Sequence, residues 1–268
     1  MKNYTKQNLR ACQLKQLSIL QEIDRICRKH HIQYWLDGGT LLGAVRHQGF
    51  IPWDDDIDIA MTDRDLQRFC AVSPAELPPH LFLQTPHTDP TAKEPIVKIR
   101  DLNSLYIEAS DTFDVPYQKG LFVDIFPFQP CPTLPRWALS KIARGISRSY
   151  SILHRKHYYS LRSALEWPWF TLKYHSYTLI WKLLNLRHPH THYCNHPIHN
   201  GCGMYHRTDT IFPLTTIQFE GQTYPAPHDT HRYLSDQYGD YTTIPPADRR
   251  QVHAIFIMPQ LHPNPETT

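Results

Sequence analysis

Two periods of apolar spacing divide this chain into elements. Leu9, Cys12, Leu17, Leu20, Ile23 and Cys27 recur at three to five residues. That spacing gathers them on one face and predicts a helix from Thr5 to His30. Ile32 to Leu36 is short and β-prone, Asp37-Gly38-Gly39 breaks it, and Thr40 to Arg46 reads as a short helix before a loop from His47 to Pro52. Asp56-Ile57-Asp58-Ile59-Ala60 alternates with period two, as a half-buried strand does. A helix over Asp63–Ala71 follows, then a Pro-rich connector from Pro74 to Pro95 carrying a strand at Leu81–Gln84. Strands are expected at Ile96–Arg100, Leu105–Glu108 and Leu121–Phe126, ended by the Pro-rich run Phe126–Pro132. Helical spacing then runs from Leu134 to about Tyr159, breaks at Trp167-Pro168 and resumes to Leu186. A His-rich loop from His188 to His206 leads to strand-like Ile217–Phe219 and Thr223–Tyr224 around a turn at Glu220-Gly221-Gln222. A helix over about Asp229–Tyr238 and a polar, Pro-rich tail close the chain.

Composition adds little until it is resolved along the chain. The formal net charge is only +3 over 268 residues, which argues against a polyelectrolyte partner such as nucleic acid. Yet Leu134 to His190 holds ten Lys/Arg (Arg136, Lys141, Arg144, Arg148, Arg155, Lys156, Arg162, Lys173, Lys182, Arg187) against one acid, Glu166. That block is +9, so the remainder is −6: a basic segment in an acidic body. The block has two leading readings, an interfacial amphipathic helix drawn to anionic lipid headgroups and a solvated face on a core-packed helix pair. The six cysteines are irregularly spaced, and the stretch MKNYTKQNLRACQLKQL has no apolar signal core. A reducing cytoplasm with free thiols is therefore expected. His192, Cys194, His196, His199, Cys202 and His206 offer enough ligands for zinc. Their spacing matches no standard finger, so an ordinary polar loop is the preferred reading.

The chemistry lies in three short stretches. Gly38-Gly39-Thr40 joins a strand to a helix, where glycines let a phosphate approach the backbone and the helix N-terminus offers N–H groups. Asp54-Asp55-Asp56-Ile57-Asp58 crowds four carboxylates into five positions. On a strand, Asp56 and Asp58 share a face, and Asp54 joins them if the strand starts that early. Such a face is costly without a cation or protons, and hard oxygen donors suit Mg²⁺. The alternative is a solvated acidic loop, or a cap for the next helix, and for Asp55, which points the other way, the two readings are balanced. Finally, Asp124 sits alone in the apolar strand Leu121–Phe126 and needs a partner, either a basic side chain or the same metal site.

The stretch from Tyr34 to Ile59, YWLDGGTLLGAVRHQGFIPWDDDIDI, closely resembles the signature of the LicD family, which includes bacterial phosphocholine transferases and is related to fukutin and fukutin-related protein. Val123-Asp124-Ile125-Phe126-Pro127, Phe219-Glu220-Gly221 and Tyr238-Gly239-Asp240-Tyr241 with Pro245-Pro246 resemble its later motifs. The resemblance implies an α/β (α+β) nucleotidyltransferase fold, polymerase β-like, with a mixed sheet and here a helical basic insertion. It implies Gly39 and Thr40 in a phosphate-binding turn and Asp56, Asp58 and Asp124 as an acidic triad for Mg²⁺ or Mn²⁺. The implied reaction moves phosphocholine from CDP-choline to a hydroxyl of a glycan or lipid-linked glycan. Gly38 belongs to the same turn, and Arg46, Lys98 and Arg100 are candidate phosphate clamps, although each suits a surface ion pair equally well. Residues 1–132 are expected to form the catalytic core, 133–190 a basic helical segment facing membrane or acceptor, and 191–268 the remainder of the same catalytic domain. The expected location is the cytoplasm, at the inner face of the plasma membrane.

Overall fold

A computed structural model describes residues 6–92, 96–109, 111, 116–154, 161–186, 190–250 and 252–261. Thr5, Arg155, Lys156, the helical continuation to Tyr159, Arg187, His188 and the tail from residue 262 lie outside the described residues, as do the side chains of Arg162 and His199.

The elements in chain order are α1 (Lys6–Lys29), β1 (Trp35–Leu36), α2 (Gly38–His47), β2 (Asp58–Thr62), α3 (Asp63–Glu76), β3 (Leu81–Gln84), β4 (Val97–Asp101), β5 (Leu105–Glu108) and β6 (Phe122–Pro130). Then come α4 (Arg136–His154), α5 (Leu161–Leu184), β7 (His192–Asn195), α6 (Pro197–Asn200), β8 (Tyr205–Arg207), α7 (Thr208–Ile211), β9 (Thr215–Phe219), β10 (Gln222–Ala226), α8 (Thr230–Tyr238), a 3₁₀ turn (Ala247–Arg249) and β11 (Ala254–Met258). The result is a mixed α/β architecture. A mixed sheet runs β1-β2-β6-β4-β3, and β7 and β8 extend it from the far half of β6. β6 is its axis: parallel to β2, antiparallel to β4 and, through Phe128–Pro130, antiparallel to β7.

The apolar positions explain the packing. Leu20, Ile23, Ile26 and Cys27 of α1 are buried in one core with Trp35, Leu36, Ile59, Met61, Ile99, Val123 and Ile125 from the sheet. This burial supplies most of the stabilisation, at about 1.5–3 kcal/mol per large side chain. The hairpin β9–β10 turns tightly on Glu220 and Gly221, both at positive φ (51° and 76°). A two-residue hairpin turn of that geometry matches the twist of its strands.

Several expectations need correction. β2 begins at Asp58, because Asp58 is the first residue of this segment with a ladder partner, Asp124. β6 continues past Pro127 to Pro130, where its pairing passes from β4 to β7. α5 runs straight through Trp167-Pro168: the Thr171 hydroxyl donates to the carbonyl of Trp167 (2.7 Å), and Ala164 and Pro168 are both exposed, so the carbonyl lacking a donor lies at the surface. α3 likewise continues through Pro74 to Glu76. The His-rich stretch forms β7, α6 and β8, and the apparent tail contains β11, which pairs with β5 in a separate two-stranded sheet.

Candidate active site

Burial alternates through the acidic segment: Asp55 and Ile57 are fully buried, whereas Asp54, Asp56 and Asp58 are not. The strand parity argued from the sequence thus extends back to Asp54, ahead of β2. These three side chains line one cleft of about 440 Å³ together with Gly39, Arg46 and Trp53. Tyr238, Asp240, Tyr241, Arg250 and His253, from the last part of the chain, form its other wall.

The segment is fixed from behind. Two buried glutamines of α1 reach it: Gln13 Nε2 donates to the carbonyl of Asp54 (2.9 Å) and Gln16 Nε2 to that of Asp55 (2.8 Å). The Asp55 carboxylate accepts from the backbone N–H of Ala254 (2.8 Å) and the Tyr106 hydroxyl (3.1 Å). Asp55 is therefore a clamp between the acidic segment and β11, pointing away from the cleft. The preceding loop is pinned by Glu220, which accepts from the N–H of Phe50 (3.1 Å) and pairs with Arg10 (2.6 Å).

The glycine turn packs closely against the acidic segment. Asp37 caps α2, accepting from the N–H of Gly38 (2.8 Å) and from the Tyr233 hydroxyl (2.8 Å). A Cβ on Gly38, at φ +52°, would lie 2.5 Å from Asp58 Oδ2, and one on Gly39 2.6 Å from Asp54 Oδ2. The two glycines clear room for these carboxylates against the start of α2. The Thr40 hydroxyl accepts from the N–H of Asp58 (2.8 Å), fixing where β2 begins.

The cleft concentrates negative charge. Burial, and then repulsion from Asp56, Asp124, Asp37 and Asp54, holds Asp58 well above the usual carboxylate range. Burial and the charges of Asp54 and Asp55 do the same to Asp56. Asp54 is pushed up to about 6, chiefly by burial and Asp55. His253 answers this charge: its hydrogen bond to Asp55 (3.3 Å) leads the causes that raise it to about 9, and Nδ1 also lies 3.5 Å from Asp56. Arg46 enters from the end of α2, and its Nη2 is buried without a hydrogen-bond partner.

Asp124, Lys98 and Arg100 are not among the residues that line the cleft. Asp124 is in register with Asp58 across the parallel pair, and Lys98 with Asp124 across the antiparallel one. Lys98 Nζ stands 2.7 Å from Asp124 Oδ1 in a buried ion pair. Arg100 turns to a neighbouring cavity, donating to Gln84 Oε1 (2.6 Å) and the carbonyl of Gly120 (2.7 Å) above the Phe122 ring. Among the described residues, ligand atoms of Asp55, Asp56 and His253 lie within 4.8 Å of one another. Asp56, Asp58 and Asp124 are not drawn that close together. Within this group the Asp55 carboxylate already accepts from the Ala254 N–H and the Tyr106 hydroxyl. The cleft-facing Asp54, Asp56 and Asp58 also present oxygen donors of the kind hard cations take, and an ion would relieve their mutual repulsion. Sequence reasoning missed Gln13, Gln16, Tyr106 and His253. Only a long-range contact distinguishes them, and His253 is one of 18 histidines.

Residues 31–140 match the family model described as LicD/FKTN/FKRP, nucleotidyltransferase domain. Over 265 residues the chain is 29% identical to the lipopolysaccharide cholinephosphotransferase LicD of Haemophilus influenzae, covering 93% of this chain and 97% of that protein. It is 51% identical over 35 residues to the human ribitol 5-phosphate transferase FKRP, a match spanning 13% of this chain and 7% of that protein. The region matched by the LicD/FKTN/FKRP model contains the capped glycine turn, the acidic segment and Asp124, so the likeness to the LicD family falls on the residues that build the cleft.

Proposed function

We propose that the protein is a cation-dependent phosphotransferase of nucleotidyltransferase fold that moves phosphocholine from CDP-choline to a sugar hydroxyl of a cell-surface glycan or its lipid-linked precursor. The observation that carries this reading is the face formed by Asp54, Asp56 and Asp58 in one cleft that Arg46 also lines. The likeness to a lipopolysaccharide cholinephosphotransferase over nearly its whole length points to the donor group and the acceptor class.

In this reading Asp56 and Asp58, with Asp54 beside them, would hold Mg²⁺ or Mn²⁺, which would supply charge neutralisation at the diphosphate. Asp124 completes the acidic set next to Asp58, its own charge balanced by Lys98. The Arg46 guanidinium takes the phosphate oxygens as a planar donor. Gly38, Gly39 and Thr40 keep the carboxylates seated. The acceptor oxygen attacks the choline-bearing phosphorus, the bond to the bridging oxygen breaks, CMP leaves, and the acceptor proton passes to a carboxylate of the cleft. The quaternary ammonium calls for aromatic faces. Trp53, Tyr238 and Tyr241 line the cleft, and Trp53 already carries the Arg250 guanidinium 4.1 Å from its ring centroid. Arg100, already bonded on both sides, serves the fold better than a phosphate. Residues 1–132 and 191–268 then act as one catalytic unit, because both line the cleft.

A second donor is favoured by the short, high-identity match to a ribitol 5-phosphate transferase. Incubation with Mg²⁺ and CDP-choline, CDP-ethanolamine or CDP-ribitol, following CMP release, separates the donors. CDP-choline should be the preferred donor. Pyrophosphate release from a nucleoside triphosphate, without CMP release, would refute transfer from a CDP-alcohol.

A further inference from the structure

The α4–α5 pair lies away from the cleft, and its outer surface is unlike the rest of the molecule. On α5, Leu165, Trp169, Leu172, Leu179 and Leu183, with Leu186 just past its end, are spaced at three, four and seven residues and are 74%, 61%, 63%, 57%, 55% and 72% exposed. At 100° per residue these positions form one stripe, about 27 Å long from Leu165 to Leu183 at 1.5 Å per residue. The opposite face is also apolar but is already used: Trp181 is buried, Tyr174 and Tyr177 pack against the core of α4, and the Tyr177 ring fills the space over Gly145. A helix apolar on both faces, with only one covered, needs a second apolar partner.

Charge selects the partner. Lys173 and Lys182 flank the α5 stripe, and Lys141, Arg144 and Arg148 follow Trp137 along the exposed face of α4. Glu166 is the single acid on the described residues of the pair. A second copy of this surface would oppose like charges, whereas anionic headgroups would neutralise them. Exposed tryptophans suit the headgroup level, where one side of the ring is apolar and the other wet. No helix among the described residues is long and apolar enough to cross a membrane, so the contact is one of lying on the bilayer.

We propose that the α4–α5 pair is an interfacial docking surface for a bilayer containing anionic lipid, with the α5 stripe sunk among the acyl chains and the basic residues on the headgroups. This goes beyond the catalytic reading and does not depend on it; if both hold, the surface brings a lipid-linked acceptor to the enzyme.

The test is flotation of the full chain with vesicles of phosphatidylcholine alone or of phosphatidylcholine with phosphatidylglycerol. Wild type should float with the anionic vesicles and at least about tenfold less with the neutral ones, and added salt should reduce the difference. The double variant Leu172→Glu/Leu179→Glu, at two exposed positions, should lose about tenfold or more in binding with unchanged thermal unfolding. The triple variant Lys141→Gln/Arg144→Gln/Arg148→Gln should lose the preference for anionic vesicles. Failure to float, equal flotation with both vesicles, or binding retained by the leucine variant would overturn the proposal. So would a concentration-dependent dimer that the leucine variant abolishes, which would assign the face to a second copy.

Discussion

At the residue scale, neighbouring aspartates in one segment have opposite duties, and parity decides which. Asp55 points inward and has hydrogen-bond donors waiting; Asp54, Asp56 and Asp58 point into the cleft and repel one another. Asp55→Ala should therefore act on stability, leaving the N–H of Ala254 and the Tyr106 hydroxyl without their acceptor. The expected loss is about 2–4 kcal/mol, read by denaturant unfolding. The cleft acids predict an unusual pH response. Asp54 is raised to about 6 from a carboxylate value near 4, so without metal the folded state binds more protons than the unfolded chain through that window. Its contribution is fully present below the unfolded value and is lost as pH rises through about 6. His253, raised to about 9, acts in the same direction between its unfolded value and about 9. Metal-free protein should thus lose stability as pH rises from 4 to 9 so far as these groups contribute. Added Mg²⁺ or Mn²⁺ should raise Tm more at pH 8 than at pH 5, because at low pH protons already occupy the acids. A Tm increment independent of pH would refute this linkage.

At the scale of elements, the turn from β1 into α2 sets the width of the cleft floor. Gly38 and Gly39 can be separated by experiment. Gly38→Ala forces a side chain at φ +52° and onto Asp58, so it should cost about 1–2 kcal/mol in unfolding as well as activity. Gly39→Ala meets only the end of the Asp54 side chain, so it should lower transfer while leaving unfolding within about 0.5 kcal/mol. Measuring both variants in both assays tests whether the glycines seat the carboxylates. This part of the molecule was the most legible in the sequence, because turn glycines, a capping aspartate and strand parity all act locally. β11 was not: Ala254–Met258 follows a Pro-rich stretch, and only its partner β5, about 150 residues away, makes it a strand. The two helix prolines were misread for a related reason. A surface position lets a helix continue past a proline, and exposure is a property of the whole fold.

At the scale of the molecule, distant segments close on one cleft. α1 supplies the two glutamines behind Asp54 and Asp55, the β9–β10 turn pins Phe50 through Glu220, and the stretch from Tyr238 to His253 forms the facing wall. These contacts bring both ends of the chain to the cleft, and the likeness to LicD of Haemophilus influenzae covers 93% of the chain. They also explain why the sequence yielded the acids and Arg46 but not His253, whose role exists only after β11 has paired. The same arrangement leaves α4–α5 outside the catalytic wall, free to carry a different surface chemistry. The central claim is that the face of Asp54, Asp56 and Asp58 does the phosphotransfer. The most direct measurement is the Mg²⁺-dependent rate of CMP release from CDP-choline, in the presence of a glycan acceptor, by wild type and by Asp58→Ala of matched folding. The account predicts a fall of about 10²–10³-fold or more. A rate within a few-fold of wild type would contradict it.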